Sequence, residues 1–372
     1  MNHSILLTIE ERERKRERKI LVPDASTIIM ANSSHTIPPV MRAWLYSSVS
    51  GGLLNNLDFV TSARMPPPPR QNQLLIQTIS MSLNPADYKI PEMTSFALRL
   101  LTAVPASPGM DFCGRVAAVG EEAASQFKKG QLVFGALPKP SQFGPLAEYM
   151  VCNADYAAVL PEGVDPDIAS TVGIAGQTGY QSLAPYVSPG DKVLITGGSG
   201  GCGVYSIQIA KILGCHVTTT CSSRNVQLCK DLGADEVIDY TSQDVVEVVK
   251  SKGQVYSHVV DYTGLPYNLY RESHHFLLPG KTFLQIGGPS ILATADRMLR
   301  PAILGGGRRK HRHFFTNDNQ RDIAKIGEYL KEKKIKVNLD GVFEFEDATK
   351  AFEQLQSGRT RGKNVIHISK KP

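Results

Sequence analysis

The sequence predicts an α/β protein, a mostly antiparallel β domain followed by a doubly wound parallel sheet. Two rhythms and one loop carry that expectation. Between about residues 40 and 160, short apolar stretches are broken by Pro and Gly, as in "QLLIQTISMSLNP", "CGRVAAVG", "QLVFGAL" and "AEYMVCN", which suits a compact antiparallel sheet. From about 185, the strand-like runs "KVLIT", "HVTTT", "EVID", "HVVDY" and "TFLQIG" alternate with helix-like stretches at 204–213, 224–232, 242–251 and 268–278. That alternation is the mark of βαβ units. The loop "TGGSGGCG" (196–203) joins the first of these strands to the first helix, and its glycines suit neither regular state.

The ends complete the plan. Residues 1–38 carry the mixed-charge run "ERERKRERK" and then a polar stretch with little apolar periodicity, so they read as a disordered extension. The globular pattern begins at "VMRAWLYS", and Met30 offers an alternative start. The first domain is expected over 39–165 and the parallel-sheet domain over 166–315. Residues 316–372 are expected to complete the second and return to the first, because "NVIHIS" (364–369) reads as a strand after the helical "ATKAFEQLQSG".

Composition excludes several classes. Hydrophobic residues make up 42% and charged residues 20% of the 372, the balance of an ordinary globular protein. The net charge of +6 is concentrated in "ERERKRERK" and "GRRKHRH" (307–313) without interleaved aromatics, which argues against nucleic-acid binding. No run approaches the ~18 apolar residues of a membrane span. The six cysteines are scattered with no CxxC pair, which argues against a disulfide framework and a structural zinc site and for a reducing compartment. "ILLTI" is too short for a signal-peptide core, and the glutamates that follow do not suit a mitochondrial presequence, so the expected location is the cytoplasm.

Gly198-Ser199-Gly200-Gly201-Cys202-Gly203 fits GxGxxG, and here it follows a strand and opens a helix, the context that gives the string meaning. The first glycine permits a tight turn, the second lets a pyrophosphate approach and the third lets helix pack on strand. The helix N-terminus then offers unpaired N–H groups to the phosphates. A dinucleotide is expected. At the end of the second strand an NAD site places Asp or Glu for the ribose 2′-hydroxyl. This chain has "TTTCSSRN" (218–225), and the next carboxylate downstream, Asp231, lies inside the following helix. Ser222, Ser223 and Arg224 offer donors and positive charge suited to a 2′-phosphate, so NADPH is expected over NADH.

With those residues placed, the chain resembles the medium-chain dehydrogenase/reductase superfamily over about residues 40–370. Its markers stand in order: "NPADYK" (84–89), "PGMDFCGRVAAVG" (108–120), "AGQTGYQSL" (175–183), the glycine loop, "LGADEVIDY" (232–240) and "GRTRGKNVI" (358–366). The resemblance implies a GroES-like β-barrel catalytic domain, a Rossmann domain and an active site in the cleft between them. The zinc alcohol dehydrogenase branch has a Cys ligand where this chain has "NPAD", and "GHE" where this chain has Gly109-Met110-Asp111. Its four-cysteine lobe is absent too, so no metal is expected.

What remains is similar to the quinone oxidoreductase and enoyl reductase branch, and most of all to fungal trans-acting enoyl reductases of polyketide pathways. In such enzymes NADPH gives hydride to an α,β-unsaturated carbonyl or a quinone, and donors must meet the charge that develops on oxygen. The resemblance puts Lys89 first and Tyr88 second as those donors. Asn84 and Asp87 would shape the cofactor-side segment and hydrogen-bond Lys89. Thr178 would approach the nicotinamide, Tyr240 the adenosine phosphate, Ile286 and Gly287 would line the nicotinamide pocket, and Lys363 would lie near it. Segments 90–107 and 290–315 would wall the substrate. The implied partners are a small enone, enoyl or quinone substrate, a carrier-bound polyketide included, with the protein a monomer or homodimer. Two alternatives stay open: a zinc-independent carbonyl or alcohol dehydrogenase on this scaffold, and a non-catalytic NADPH-binding protein.

Overall fold

The computed structural model describes residues 37–93, 102–288, 296–297 and 299–371. The extension expected over 1–38 falls outside these residues except at 37–38, as do residues 94–101, 290–295 and 298 of the expected substrate walls.

Strands β1 (Val40–Leu45) and β2 (Asp58–Arg64) form an antiparallel pair at the start of the first domain. The main sheet there contains β3 (Gln73–Ser82), β4 (Asp111–Val119), β5 (Leu132–Ala136), β6 (Tyr149–Asn153) and β7 (Ala157–Val159). The chain's last strands, β14 (Leu339–Glu344) and β15 (Lys363–His367), join it, giving the order β14-β15-β3-β4-β5-β7 with β6 also on β3. Strand β15 runs antiparallel to β3, with Val365 opposite Ser82. The helix before it, Ala348–Gln356, packs Ala348, Ala351 and Phe352 into the core it shares with Trp44 and Ile366.

The second sheet is wholly parallel: β8 (Lys192–Thr196), β9 (His216–Cys221), β10 (Glu236–Asp239), β11 (His258–Asp261), β12 (Thr282–Gln285) and β13 (Lys310–His313), in the order β10-β9-β8-β11-β12-β13. Val193, Leu194 and Ile195 are all buried, as a central strand covered on both faces requires. The order reverses between β8 and β11, and ligands of open α/β sheets bind outside the strand ends at such a point.

Two expectations change. The stretch 268–278 forms only a 3-10 turn, Arg271–His275, because its apolar residues Leu269, Tyr270, Phe276 and Leu277 bracket a polar "RESHH" centre with no inward face. Conversely, 310–313 is the sheet's sixth strand; "KHRH" has no apolar run to reveal it, and pairing with β12 decides its state. No strand from 316–372 enters the parallel sheet among the described residues. Instead the helix Gln320–Lys331 lays Ile323 and Ile326 into a core containing Phe134 and Ala158 of the first sheet and Val204 and Ile207 of the second domain. That shared core holds the walls of the cleft together.

Candidate active site

The glycine loop binds itself tightly and leaves one face open. Gly197, not Gly198, takes the left-handed turn (φ +67°). Gly198 is pinned instead: a Cβ there would lie 2.2 Å from Thr219 Oγ1. At Gly203 a Cβ would meet Gly197 O at 2.2 Å, so helix and strand approach as the third glycine was expected to allow. A Cβ on Gly200 would meet only Gly197 O, at 3.4 Å. The helix Gly201–Ile212 starts after Gly200 with no side-chain cap, leaving its first N–H groups available to an anion. These features fit a dinucleotide's pyrophosphate. Ser199 Oγ accepts from Asn225 Nδ2 at 2.9 Å, tying the loop to the end of β9. The Cys202 thiol is pushed up to about 11 by burial, so it stays protonated.

At the end of β9, Ser222, Ser223 and Arg224 stand together, with Arg224 exposed and its Nη2 donating to Arg359 O at 2.9 Å. Asp239, at the end of β10, was not anticipated. Ser223 Oγ donates to Asp239 Oδ2 at 2.5 Å, and Thr241 Oγ1 donates to Oδ1 at 2.6 Å. The Ser223 and Thr241 bonds hold the Asp239 carboxyl down at about 2. Ser223 therefore has its proton engaged, and of the three residues expected here Ser222 and Arg224 are left with donors to offer. Asp239 stands 18 residues beyond Cys221, and the signal for it was the parallel pairing that sets the two opposite each other. Tyr240 is 55% exposed and borders a cavity of about 460 Å³ whose walls include Thr220, Asp244, Thr263, Leu265 and Pro266. Size and position at the strand ends suit the adenine end of a dinucleotide.

Toward the other end, Thr178 is buried and its Oγ1 lies 2.5 Å from Thr316 Oγ1. Ile286 and Gly287 both donate their backbone N–H to Asp261 O. Gly287 sits so close to the end of β11 that a Cβ would fall 1.8 Å from Tyr262 O.

The remaining candidates meet in a buried polar cluster. Lys363, 2% exposed, donates from Nζ to Leu83 O (2.9 Å), Asn84 Oδ1 (2.6 Å) and Asp111 Oδ2 (3.4 Å). Asp111, fully buried, also accepts from Ser82 Oγ and Asn84 Nδ2, both at 2.8 Å, and from Ile174 N at 2.7 Å. Ile174 reaches it because a π-turn, Val172–Gly176, interrupts the helical run before Gln177–Gln181. Gly362, at φ +88°, turns the chain so that Lys363 points inward, and its N–H donates to Ser199 O of the glycine loop at 2.9 Å. Asp111 is the member that motif reading left out; its burial and four donors become visible only when strand, π-turn and C-terminus converge.

Asp87 Oδ2 accepts from Asn84 N at 2.7 Å, while Oδ1 is buried without a partner. Burial first, and the Asp111 charge second, push its carboxyl up to about 8. With Asp87 protonated, Asp111 and Lys363 balance one another. Unfolded, Asp87 titrates near 3.9. Between about pH 4 and about 8 the folded state holds a proton the unfolded chain releases, so this contribution is full below pH 4 and lost as pH rises toward 8. Asp87→Asn, permanently neutral, should flatten that decline. Urea unfolding at several pH values from 5 to 9 checks it; parallel profiles for the two proteins would refute the protonated state.

Lys89 does not join this cluster, contrary to expectation. It lies on the helix Ala86–Met93, which buries Asp87 and Pro91, four residues apart on one face. Two positions beyond Asp87, Lys89 is turned about 200° away at 3.6 residues per turn, and it is exposed. Its Nζ lies 6.0 Å from the Tyr88 ring centroid. Asn84 and Asp87 bond within the buried cluster instead.

Comparison with known proteins agrees with this geometry. Residues 70–162 match the alcohol dehydrogenase GroES-like domain family and 232–366 the zinc-binding dehydrogenase family. The chain is 38% identical over 349 residues to a trans-enoyl reductase of Aspergillus terreus, covering 90% of this chain and 98% of that one. It is 34% identical to a zinc-type alcohol dehydrogenase-like protein of Schizosaccharomyces pombe, covering 87% and 95%. Among solved structures, the quinone oxidoreductase from Coxiella burnetii superposes with a TM-score of 0.76 at 27% identity, over 88% of this chain and 99% of that one. Fold and site define a two-domain nicotinamide-dependent oxidoreductase. The chain belongs to the medium-chain dehydrogenase/reductase superfamily, on its enoyl reductase and quinone oxidoreductase side.

Proposed function

We propose that this protein is an NADPH-dependent, zinc-independent reductase of α,β-unsaturated carbonyl compounds, enoyl thioesters or enones, with quinones as a second acceptor class. The observation that carries the reading is the Lys363–Asp111 pair. Where the zinc branch has a metal-ligating segment, this chain has a carboxylate already neutralised by a buried ammonium. Among the described residues no three His, Cys, Asp or Glu side chains converge at ligand spacing. Without a Lewis acid, alcohol oxidation loses its driving device, whereas conjugate reduction needs only a hydride and hydrogen-bond donors.

Gly200, Gly201 and the helix they open hold the pyrophosphate, Ser222 and Arg224 the 2′-phosphate, and Thr178, Ile286 and Gly287 flank the nicotinamide, which supplies the hydride. The helix Ala86–Met93 supplies the candidate donors to the substrate oxygen, Tyr88 and Lys89. Tyr88 suits the task better, because it is half-buried and packed against the first domain's core while Lys89 is exposed. All three protons of the Lys363 ammonium have acceptors, so Lys363 organises the cleft rather than the oxyanion. The similarity to a fungal trans-enoyl reductase supports a role in secondary metabolism. No helix among the described residues is long and apolar enough to cross a membrane.

NADPH consumption with enoyl thioesters, enones, quinones and simple ketones, each with and without a chelator, tests the reading. Turnover confined to ketones, or lost on chelation and restored by zinc, overturns it. For the cofactor, Arg224→Ala should weaken NADPH by about 1.5–3 kcal/mol and NADH little, since only the phosphate loses a charge-assisted bond. Equal weakening of both nucleotides in titration would rule the assignment out.

A further inference from the structure

Asp318 is a half-buried acid that neither the glycine loop nor the Lys363–Asp111 cluster uses. It lies in the segment 314–319, which leaves β13 and enters the helix Gln320–Lys331. Hydrogen bonds lay this segment along the helix Gln177–Gln181. Thr316 Oγ1 meets Thr178 Oγ1 at 2.5 Å, Asn317 N donates to Gln181 Oε1 at 3.0 Å, and Asn319 N donates to Gln177 Oε1 at 3.0 Å. Gln177, fully buried, gives one amide proton to Gly173 O (3.0 Å) and the other to Asp318 Oδ1 (2.9 Å). Gly173 in turn sits so close to the Asp111 carboxyl that a Cβ there would lie 2.3 Å from Oδ1. Gln177 thus ties Asp318 to the backbone beside Asp111, one residue from Thr178 on the nicotinamide side.

The charged neighbours are Asp111 with its partner Lys363, and Arg321 and Asp322 at the start of the next helix. Among the described residues no cation lies within ion-pair distance of the Asp318 carboxyl. Burial first, and the Asp111 charge second, push it up to about 7. Gln177 occupies Oδ1, and no other side chain bonds the carboxyl, so its proton sits on Oδ2. The other acids nearby do not compete. The Cys202 thiol, beside Thr178, is held at about 11, Asp87 is buried within the Asn84 turn, and the Lys363 protons all have acceptors. Conjugate reduction needs such an acid, because carbon is protonated more slowly than oxygen and a donor works best with a pKa near the working pH.

We propose that Asp318 is the acid that protonates the α-carbon of the reduced substrate; this rests on the enoyl-reductase reading above. Hydride arriving at the β-carbon moves the C=C electron pair toward the carbonyl, whose oxygen takes the charge. That pair returns to form the new Cα–H bond as the Asp318 O–H bond breaks, and the carboxylate takes a proton from water. The test follows crotonyl N-acetylcysteamine reduction from pH 5.5 to 9 in the wild type, Asp318→Asn and Asp318→Glu. Asparagine keeps the bond from Gln177 and loses the acid, so kcat should fall about a hundredfold. Wild-type kcat/KM should fall as pH rises through about 7, a limb that Asp318→Glu keeps and Asp318→Asn loses. On the protein without cofactor, infrared titration should show a carboxylic C=O band lost near pH 7 and absent from Asp318→Asn. Turnover by Asp318→Asn near the wild-type rate, or no such band in the wild type, overturns the acid alone. Equal losses in Asp318→Asn and Asp318→Glu overturn it in favour of a packing role. No turnover by the wild type overturns the enoyl reading and the acid with it.

Discussion

Lys363→Met should lower stability by about 3–5 kcal/mol, the usual penalty for leaving one member of a buried ion pair alone. The substitution keeps much of the stem volume and removes the ammonium. Asp111 would remain fully buried with its countercharge gone, and Asn84 Oδ1 and Leu83 O would each lose a donor. A melting temperature lower by roughly 10 °C is expected. Activity should fall as well, because the Lys363 stem packs against the start of the glycine helix, with Cδ 3.1 Å from where a Gly201 Cβ would sit. Adding Asp111→Asn removes the stranded charge and should restore part of the lost stability, a coupling a double-mutant cycle reads directly. A Lys363→Met protein melting within about 2 °C of the wild type would show that the pair contributes little.

Gly200→Val should abolish cofactor binding while leaving the fold intact. Gly200 has φ −84° and ψ 175°, backbone any L-residue adopts, and its Cβ would meet no atom closer than 3.4 Å. The added side chain would occupy the face from which a pyrophosphate approaches the helix N-terminus. A loss of at least about a hundredfold in affinity, roughly 2.7 kcal/mol, is expected with an unchanged melting temperature. Gly203→Ala offers the contrast, since its Cβ would strike Gly197 O at 2.2 Å and damage the fold itself. Nucleotide titration alongside thermal melting separates the two. Normal NADPH binding by Gly200→Val would remove the pyrophosphate from this loop.

The expected helix at 268–278 and the basic run at 307–313 show why some elements escaped sequence reading. A helix needs an apolar stripe, and "RESHH" interrupts it; a strand with one half-covered face and one charged face carries no apolar signal. Lys89 was favoured because a cation would serve both the oxyanion and the cofactor ribose, and it stands in a motif with Asn84 and Asp87, its expected hydrogen-bond partners. Adjacency in a motif says nothing of direction on a helix, and the turn between Asp87 and Lys89 sends them to opposite sides. Ser223 was read as a phosphate donor without the neighbour that engages its proton, because Asp239 arrives from the adjacent strand.

By itself the sequence determined the two-domain α/β architecture, the glycine loop between β8 and its helix, and the family. Each of these is written in local patterns: period, strand–turn–helix context and the order of short motifs. Tertiary structure alone decided which charges meet. Lys363 lies 252 residues from Asp111 and 279 from Asn84, and only the return of β15 alongside β3 brings them within hydrogen-bond reach. The protonation of Asp87 is likewise tertiary, since burial and then the nearby Asp111 charge raise its pKa against the opposing pull of Lys363, and none of these acts in the extended chain.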